Sequence, residues 1–283
     1  MSILQKLRIG YWNIGIIEND IESIMEGKDY SIRWMKHHYR DRFYADPFIY
    51  GSDERYYYIL VEELIFVRDK GTISLLTIDK KNMNLVDQKV IIDDEFHLSY
   101  PYYDGESIVP ENYKSGALYK FYFDGRKEKV LDVPLIDPTF VEYAGKKWLF
   151  GTTKEEPEDA KKKLSIFYEK DGVYYPHNNN PVKNDICTSR PGGSFFEYKG
   201  DLYRPAQNSE NIYGEDIRIM KIIALDEDEF KEEQVKIIES HRCKKYNLGL
   251  HTFNVGDGFI VVDGFQYSNQ FVEKVKLKLK HIR

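Results

Sequence analysis

Phe43-Tyr44-Ala45-Asp46-Pro47-Phe48-Ile49-Tyr50-Gly51 is the stretch whose reading decides the fold. Aromatic and β-branched residues around an Asp-Pro pair read as a strand with a carboxylate at its mouth. The device recurs. Asp137-Pro138-Thr139-Phe140 repeats it, again with a glycine and an aromatic strand to follow. Ser99-Tyr100-Pro101-Tyr102 and Ser189-Arg190-Pro191-Gly192 are variations, and His251-Thr252-Phe253 is a fifth opening without proline. Turn residues and further short strands follow each one, as in Gly51-Ser52-Asp53-Glu54 before Tyr56 to Glu63. The openings fall near residues 46, 100, 137, 190 and 251, a period of about fifty residues, in the range of propeller blades. The fold expected is all-β: a five-bladed β-propeller forming a single domain over residues 1–283. Two β-sandwich domains account for the strands but not for the shared opening.

The rest of the chain fits around these units. Residues 7–17 read as a glycine-containing strand, residues 18–27 as one short helix, and residues 253–263 with a C-terminal strand as the fifth unit. Val275, Leu277 and Leu279 alternate with Lys276, Lys278 and Lys280, the pattern of an exposed edge strand. The charge runs at residues 154–163 and 226–233 read as solvated hairpin loops. Aromatic residues make up 15% of the chain, mostly tyrosine, which suits half-buried sheet first and sugar-binding faces second. A net charge of −6 offers no basic footprint for nucleic acid. Cys187 and Cys243 fit neither a metal spacing nor a disulfide framework. The N-terminus resembles neither a signal peptide nor a membrane span, so a cytoplasmic protein is expected, with no cofactor and no metal site predicted by histidine spacing.

At these openings the sequence resembles the five-bladed propellers of glycoside hydrolase family 43 and its relatives. It is more similar still to the N-terminal propeller of glucosamine inositolphosphorylceramide transferases and its bacterial relatives. The residues carrying the closer likeness are Ala45-Asp46-Pro47-Phe48, Glu62-Glu63, His97 to Pro101, Pro110-Glu111, Asp137-Pro138 and Trp148-Leu149-Phe150. Arg190 to Gly193, Tyr203 to Gln207, Tyr213-Gly214 and His251-Thr252 continue it. The resemblance to the hydrolases implies a general base at Asp46 and, at Asp137, an aspartate that tunes the acid. It also implies a glutamate general acid opening the fourth blade, where this chain has Ser189-Arg190-Pro191-Gly192 instead.

Each candidate has a plain structural alternative. Asp46 and Asp137 can be turn caps, but two copies on separate blades converging on one axis favour chemistry. With the family acid missing, Glu111 and Glu63 are the candidates for a displaced proton donor. Alternation sends Glu62 and Glu63 to opposite faces, and Glu62 is read as a rim carboxylate. The substrate-binding candidates are Arg190, Arg204, His251, His97, Gln207 and Tyr100. A guanidinium fork holds carboxylate or phosphate, although Arg190 can instead offset Asp137 or Asp46, and His251 can be a bonded core histidine or orient the waters of a central ion. Trp12, Tyr100, Tyr102 and Tyr203 are candidate stacking faces. The function expected is a carbohydrate-active propeller acting on an anionic or phosphate-linked glycan in surface-polysaccharide assembly or turnover. The alternative is a sugar-binding module that has lost its acid. The partner is a glycan or sugar phosphate.

Overall fold

The computed structural model describes residues 8–240 and 244–269. Strand β1 (Arg8–Ile17), a short helix α1 (Ile21–Met25) and β2 (Ile32–Trp34) precede the first unit, and the Asp20 side chain caps α1 by accepting from the Ser23 N–H at 2.8 Å. The first blade is β3 (Arg42–Ser52), β4 (Tyr56–Ile65), β5 (Lys70–Asp79) and β6 (Leu85–Ile92). The second is β7 (Ser99–Tyr103), β8 (Ser107–Glu111), β9 (Leu118–Tyr122) and β10 (Lys127–Leu131). The third is β11 (Ile136–Tyr143), β12 (Lys146–Thr152), β13 (Lys163–Lys170) and β14 (Val173–Pro176), with β15 (Lys183–Asn184) paired to β13. The fourth is β16 (Phe196–Tyr198), β17 (Asp201–Asn208), β18 (Asp216–Leu225) and β19 (Phe230–Glu239).

The fifth blade is where the sequence and the structure part. Its inner strands are β20 (Phe253–Val255) and β21 (Ile260–Asn269), and its outer half is β1 and β2 from the other end of the chain. Strand β1 pairs with β21 along its whole length, from Arg8 opposite Asn269 to Ile17 opposite Ile260, and so closes the ring. The C-terminal strand expected to complete this unit, with its alternating lysines, lies outside the described residues.

Alternation explains the fold. A blade has a neighbour on each face, so successive side chains of its middle strands enter two different cores. Ile59 and Val61 enter the junction with blade five while Leu60 between them enters the junction with blade two. Ile108 and Val109 divide between the blade-one and blade-three junctions. Trp148 and Phe150 face blade four, and Leu149 faces blade two. Ile260 and Val262 pack towards blade four, and Val261 towards blade one. This is why the middle strands read as continuous apolar runs: both faces are buried. The five resulting clusters are the five blade junctions.

The first strands carry a shared distortion. The ladder skips from Ala45 to Phe48, from Ser99 to Tyr102 and from Ile136 to Thr139. In each skip the residue before proline is left-handed: φ is 50° at Asp46, 45° at Tyr100 and 51° at Asp137. The proline after it has no N–H, so leaving the pair out of the ladder orphans no donor there. The bulge turns a side chain off the sheet face. Asp-Pro is therefore a kink inside the inner strand that aims a carboxylate, not merely a strand start.

Candidate active site at the propeller axis

Asp46 is only 6% exposed. Its Oδ2 accepts from the Tyr100 N–H at 3.2 Å and its Oδ1 from the Thr252 hydroxyl at 3.1 Å. His251 Nε2 lies 3.6 Å from the same Oδ1. The other ring nitrogen, Nδ1, is 2.5 Å from Asp263 Oδ2, which also accepts the Asp46 N–H at 3.1 Å. Asp263 Oδ1 accepts the N–H groups of His251 and Thr252 at 2.9 and 3.0 Å. One fully buried carboxylate thus ties the openings of blades five and one together.

The charges of this group follow from its partners. Burial opposes charge on His251, but Asp263 and Asp46 outweigh it and raise the imidazole to about 9. Burial raises the Asp46 carboxyl most, the His251 cation pulls it back, and Glu62, Asp137 and Asp263 push it up again, to about 7. Trp12 stacks on the imidazole with ring centroids 3.9 Å apart and planes at 9°, a cation–π contact for the charged ring. Gly214, at φ 64°, passes so close that a Cβ there would stand 2.7 Å from the His251 Cβ. Donor atoms of Asp46, His251 and Asp263 all lie within 4.8 Å of one another, a set able to hold a divalent cation if His251 gives up its proton. Asp46 and Asp263 are 217 residues apart in sequence, so no spacing announces the trio.

The second half of the axis is built on Asp137, 2% exposed. Its Oδ2 accepts from Arg190 Nε at 2.5 Å and from Gln207 Nε2 at 2.7 Å. Arg190 also reaches towards a second carboxyl, with its Nη2 3.9 Å from Glu111 Oε2. Burial and the Asp137 charge hold the Glu111 carboxyl well above the ordinary carboxylate range, against the pull of Arg190. The Glu111 side chain keeps 17% exposure. It opens on a cleft of about 680 Å³ lined by His97, Tyr113, Lys114, Ile136 and Lys154 among others. A second cavity, about 430 Å³ and lined by Tyr11, Trp34, His37 and Tyr246 among others, takes in none of the axial residues.

The structure brings Asp46, Asp137, Glu111, Arg190, Gln207 and His251 together, and it places the other candidates elsewhere. Glu63, 1% exposed, points away from the axis to Arg42 Nη1 at 2.6 Å and the Ser74 hydroxyl at 2.6 Å. Its neighbour Glu62 is the inward one, 3.3 Å from His97 Nε2, while His97 Nδ1 accepts the Gly71 N–H. The preference for Glu63 over Glu62 is therefore reversed. The Glu62 hydrogen bond, partly opposed by burial, raises the His97 pKa. Arg204 is no substrate ligand: its Nε and Nη2 grip Glu232 at 2.6 and 2.7 Å, and its remaining donors reach the carbonyls of Thr188 and Ser189. Tyr100 is wholly buried against Phe48, and its hydroxyl accepts the Gly193 N–H at 2.7 Å, so it offers no face to a sugar. Tyr203 lies in the core between blades four and five.

The charge runs also do more than meet water. Glu232 is the buried partner of Arg204 and Lys183, and the Ala160 carbonyl lies 3.4 Å from Arg190 Nη1. Three contributors were not among the candidate site residues: Asp263, and Thr252 and Tyr213, which entered only through the family likeness. Tyr213 is 41% exposed, its ring edge-on to His251 and 5.4 Å from it, with the Arg190 guanidinium 5.2 Å from its centroid. The glycine after it was the available signal, since a left-handed residue pressed on the site marks a built approach.

Five blades around two linked clusters of carboxylate, cation and acid define a propeller with a candidate acid–base centre on its axis. Residues 32–255 match the family described as glucosamine inositolphosphorylceramide transferase 1, N-terminal, and the chain belongs to that family. It is 33% identical over 247 residues to glucosamine inositolphosphorylceramide transferase 1 of Arabidopsis thaliana, covering 78% of this chain and 32% of that protein. The protein of the same name from Oryza sativa subsp. japonica is 31% identical over 221 residues, 70% of this chain and 29% of its own. The chain thus spans about a third of the length of these relatives. Among solved structures, it is similar to Zg3597, a family 117 glycoside hydrolase from Zobellia galactanivorans (12% identity, TM-score 0.46, 80% of this chain and 75% of that one). It is also similar to a GH43_1 enzyme from Xanthomonas citri (8% identity, TM-score 0.47, 81% and 88%). No helix among the described residues is long and apolar enough to cross a membrane.

Proposed function

We propose that this propeller is carbohydrate-active and works on an anionic or phosphate-linked glycan, in the assembly or turnover of surface polysaccharide. The feature that supports this most is Glu111: a carboxyl held well above the ordinary range by burial and by Asp137, open to a cleft, on the same axis as Asp46. In this reading a water, or an acceptor hydroxyl, gives its proton to Asp46 while its oxygen bonds the anomeric carbon. The bond from that carbon to the leaving oxygen breaks, and that oxygen takes the Glu111 proton. Asp137 positions the acid, and Arg190 lies between the two carboxyls. The name of the relatives, which joins an amino sugar to a phosphoryl-bearing lipid, agrees with such a substrate.

The test is an assay of the full chain on aryl glycosides and on phosphate-linked sugars. Turnover of the latter is expected, lost in Asp46→Asn and Glu111→Gln variants that keep the circular dichroism of the parent. Saturable sugar binding without turnover would make the chain a binding module instead, and no binding of either kind would remove sugars from the account.

A further inference from the structure

The cleft beside Glu111 carries charge that the acid–base pair does not use. Its wall is the 3-10 turn Tyr113–Ser115, closed by Gly116 at φ 80°, and the segment after β12 that bears Lys154. The Tyr113 hydroxyl donates to the Lys154 carbonyl at 2.8 Å, and Lys154 Nζ lies 4.7 Å from the Tyr113 ring centroid, so each side chain holds the other in place. Lys114 is exposed and its charge reaches His97. Among the described residues neither lysine forms an ion pair. That is notable in a chain with 47 carboxylates to 41 lysines and arginines, where Lys127 and Lys163 pair with Asp94 and Asp159. Among the described residues Glu111 is the only carboxyl lining the cleft, and the cation beside it is Arg190 rather than either lysine.

We propose that Lys114 and Lys154 form a phosphate subsite on the leaving-group side of the axial centre. This rests on Glu111 as the proton donor: a general acid marks the side from which the leaving oxygen departs, so whatever that oxygen carries lies in this cleft. The two ammonium groups supply donors that no carboxylate has claimed, which suits a phosphate monoester or diester. A neutral glycan leaving group gains nothing from two unpaired cations.

The experiment measures binding of inorganic phosphate, and separately of a panel of neutral methyl glycosides, to the full chain by isothermal titration calorimetry at low ionic strength. Phosphate should bind the parent and weaken about tenfold in Lys114→Gln/Lys154→Gln, the loss of about one charge-assisted hydrogen bond. A single Lys114→Gln variant, at an exposed position, guards against a folding defect and should show part of the loss. No phosphate binding to the parent, or equal binding to the double variant, would overturn the subsite whatever the sugars do. Phosphate binding through the lysines with no glycoside bound would leave the subsite standing and count against the sugar reading.

Discussion

Arg190 and Arg204 sit on the same blade, both buried and both facing a buried carboxylate, yet they are different devices. Arg204 is 2% exposed, and every guanidinium nitrogen is engaged: Nε and Nη2 on Glu232, Nη2 again on the Thr188 carbonyl and Nη1 on that of Ser189. Arg190 is 11% exposed; Nε serves Asp137, but Nη1 and Nη2 reach only a carbonyl at 3.4 Å and Glu111 at 3.9 Å. A guanidinium fork that is fully engaged holds structure, and one with donors left over beside an acid can meet a ligand. The two are linked, since the carbonyls gripped by Arg204 belong to the residues just before Arg190.

The largest effect expected from this contrast is on stability. Arg204→Met leaves Glu232 buried with Lys183 alone and should cost about 3 kcal/mol in denaturant unfolding, with activity per folded molecule little changed. Equal loss of activity and stability would show the two arginines to be one unit. Arg190→Gln should do the reverse. Turnover should fall about 100-fold, near 2.7 kcal/mol in the barrier. Stability should drop by only about 1 kcal/mol, because Asp137 keeps Gln207 and can share the Glu111 proton. A smaller change comes from Glu63→Gln, which weakens the Arg42 pair by about 1–2 kcal/mol in a thermal melt and leaves turnover alone. Lost turnover there would return Glu63 to the site.

The last expected effect is read against pH. The His251 pKa is raised from 6.5 to about 9, so its pairing contributes fully below 6.5 and is lost as the pH rises through about 9. His251→Asn should therefore flatten the fall in stability between those values. Because the His251 cation holds the Asp46 carboxyl down, the same variant should move the acid limb of the pH–rate profile upward from about 7. An unmoved limb would mean that Asp46 is not the base.

The repeated openings made the blades legible, because those at Asp46, Tyr100 and Asp137 share one kink and proline supplies it without losing a donor. They also placed Asp46, Asp137, Arg190 and His251 at equivalent positions on different blades. What stayed hidden depends on closure and facing. The fifth blade is completed by β1, and nothing local in residues 8–17 says that their partner is β21. Asp263 sits in an apolar strand as an isolated acid, and only closure brings it to Asp46 and His251. Alternation showed that Glu62 and Glu63 face opposite ways without saying which looks inward; pairing of Ala45 with Glu62 and Tyr44 with Glu63 decides that. Arg204 and Gln207 share one strand but lie on opposite faces of it, which sends only Gln207 to Asp137.

The proposed chemistry needs an acid and a base held ready on the axis in the resting protein. Its most direct measurement is a carbon-13 NMR titration of the side-chain carboxyls in the parent chain, Asp46→Asn and Glu111→Gln. Two carboxyls are expected to titrate above the usual range near 4. One should disappear with Asp46, which titrates at about 7, and the other with Glu111. If both variants leave the titration above pH 5 unchanged, or every carboxyl ionises in the ordinary range, the axis holds paired structural charges and no proton donor.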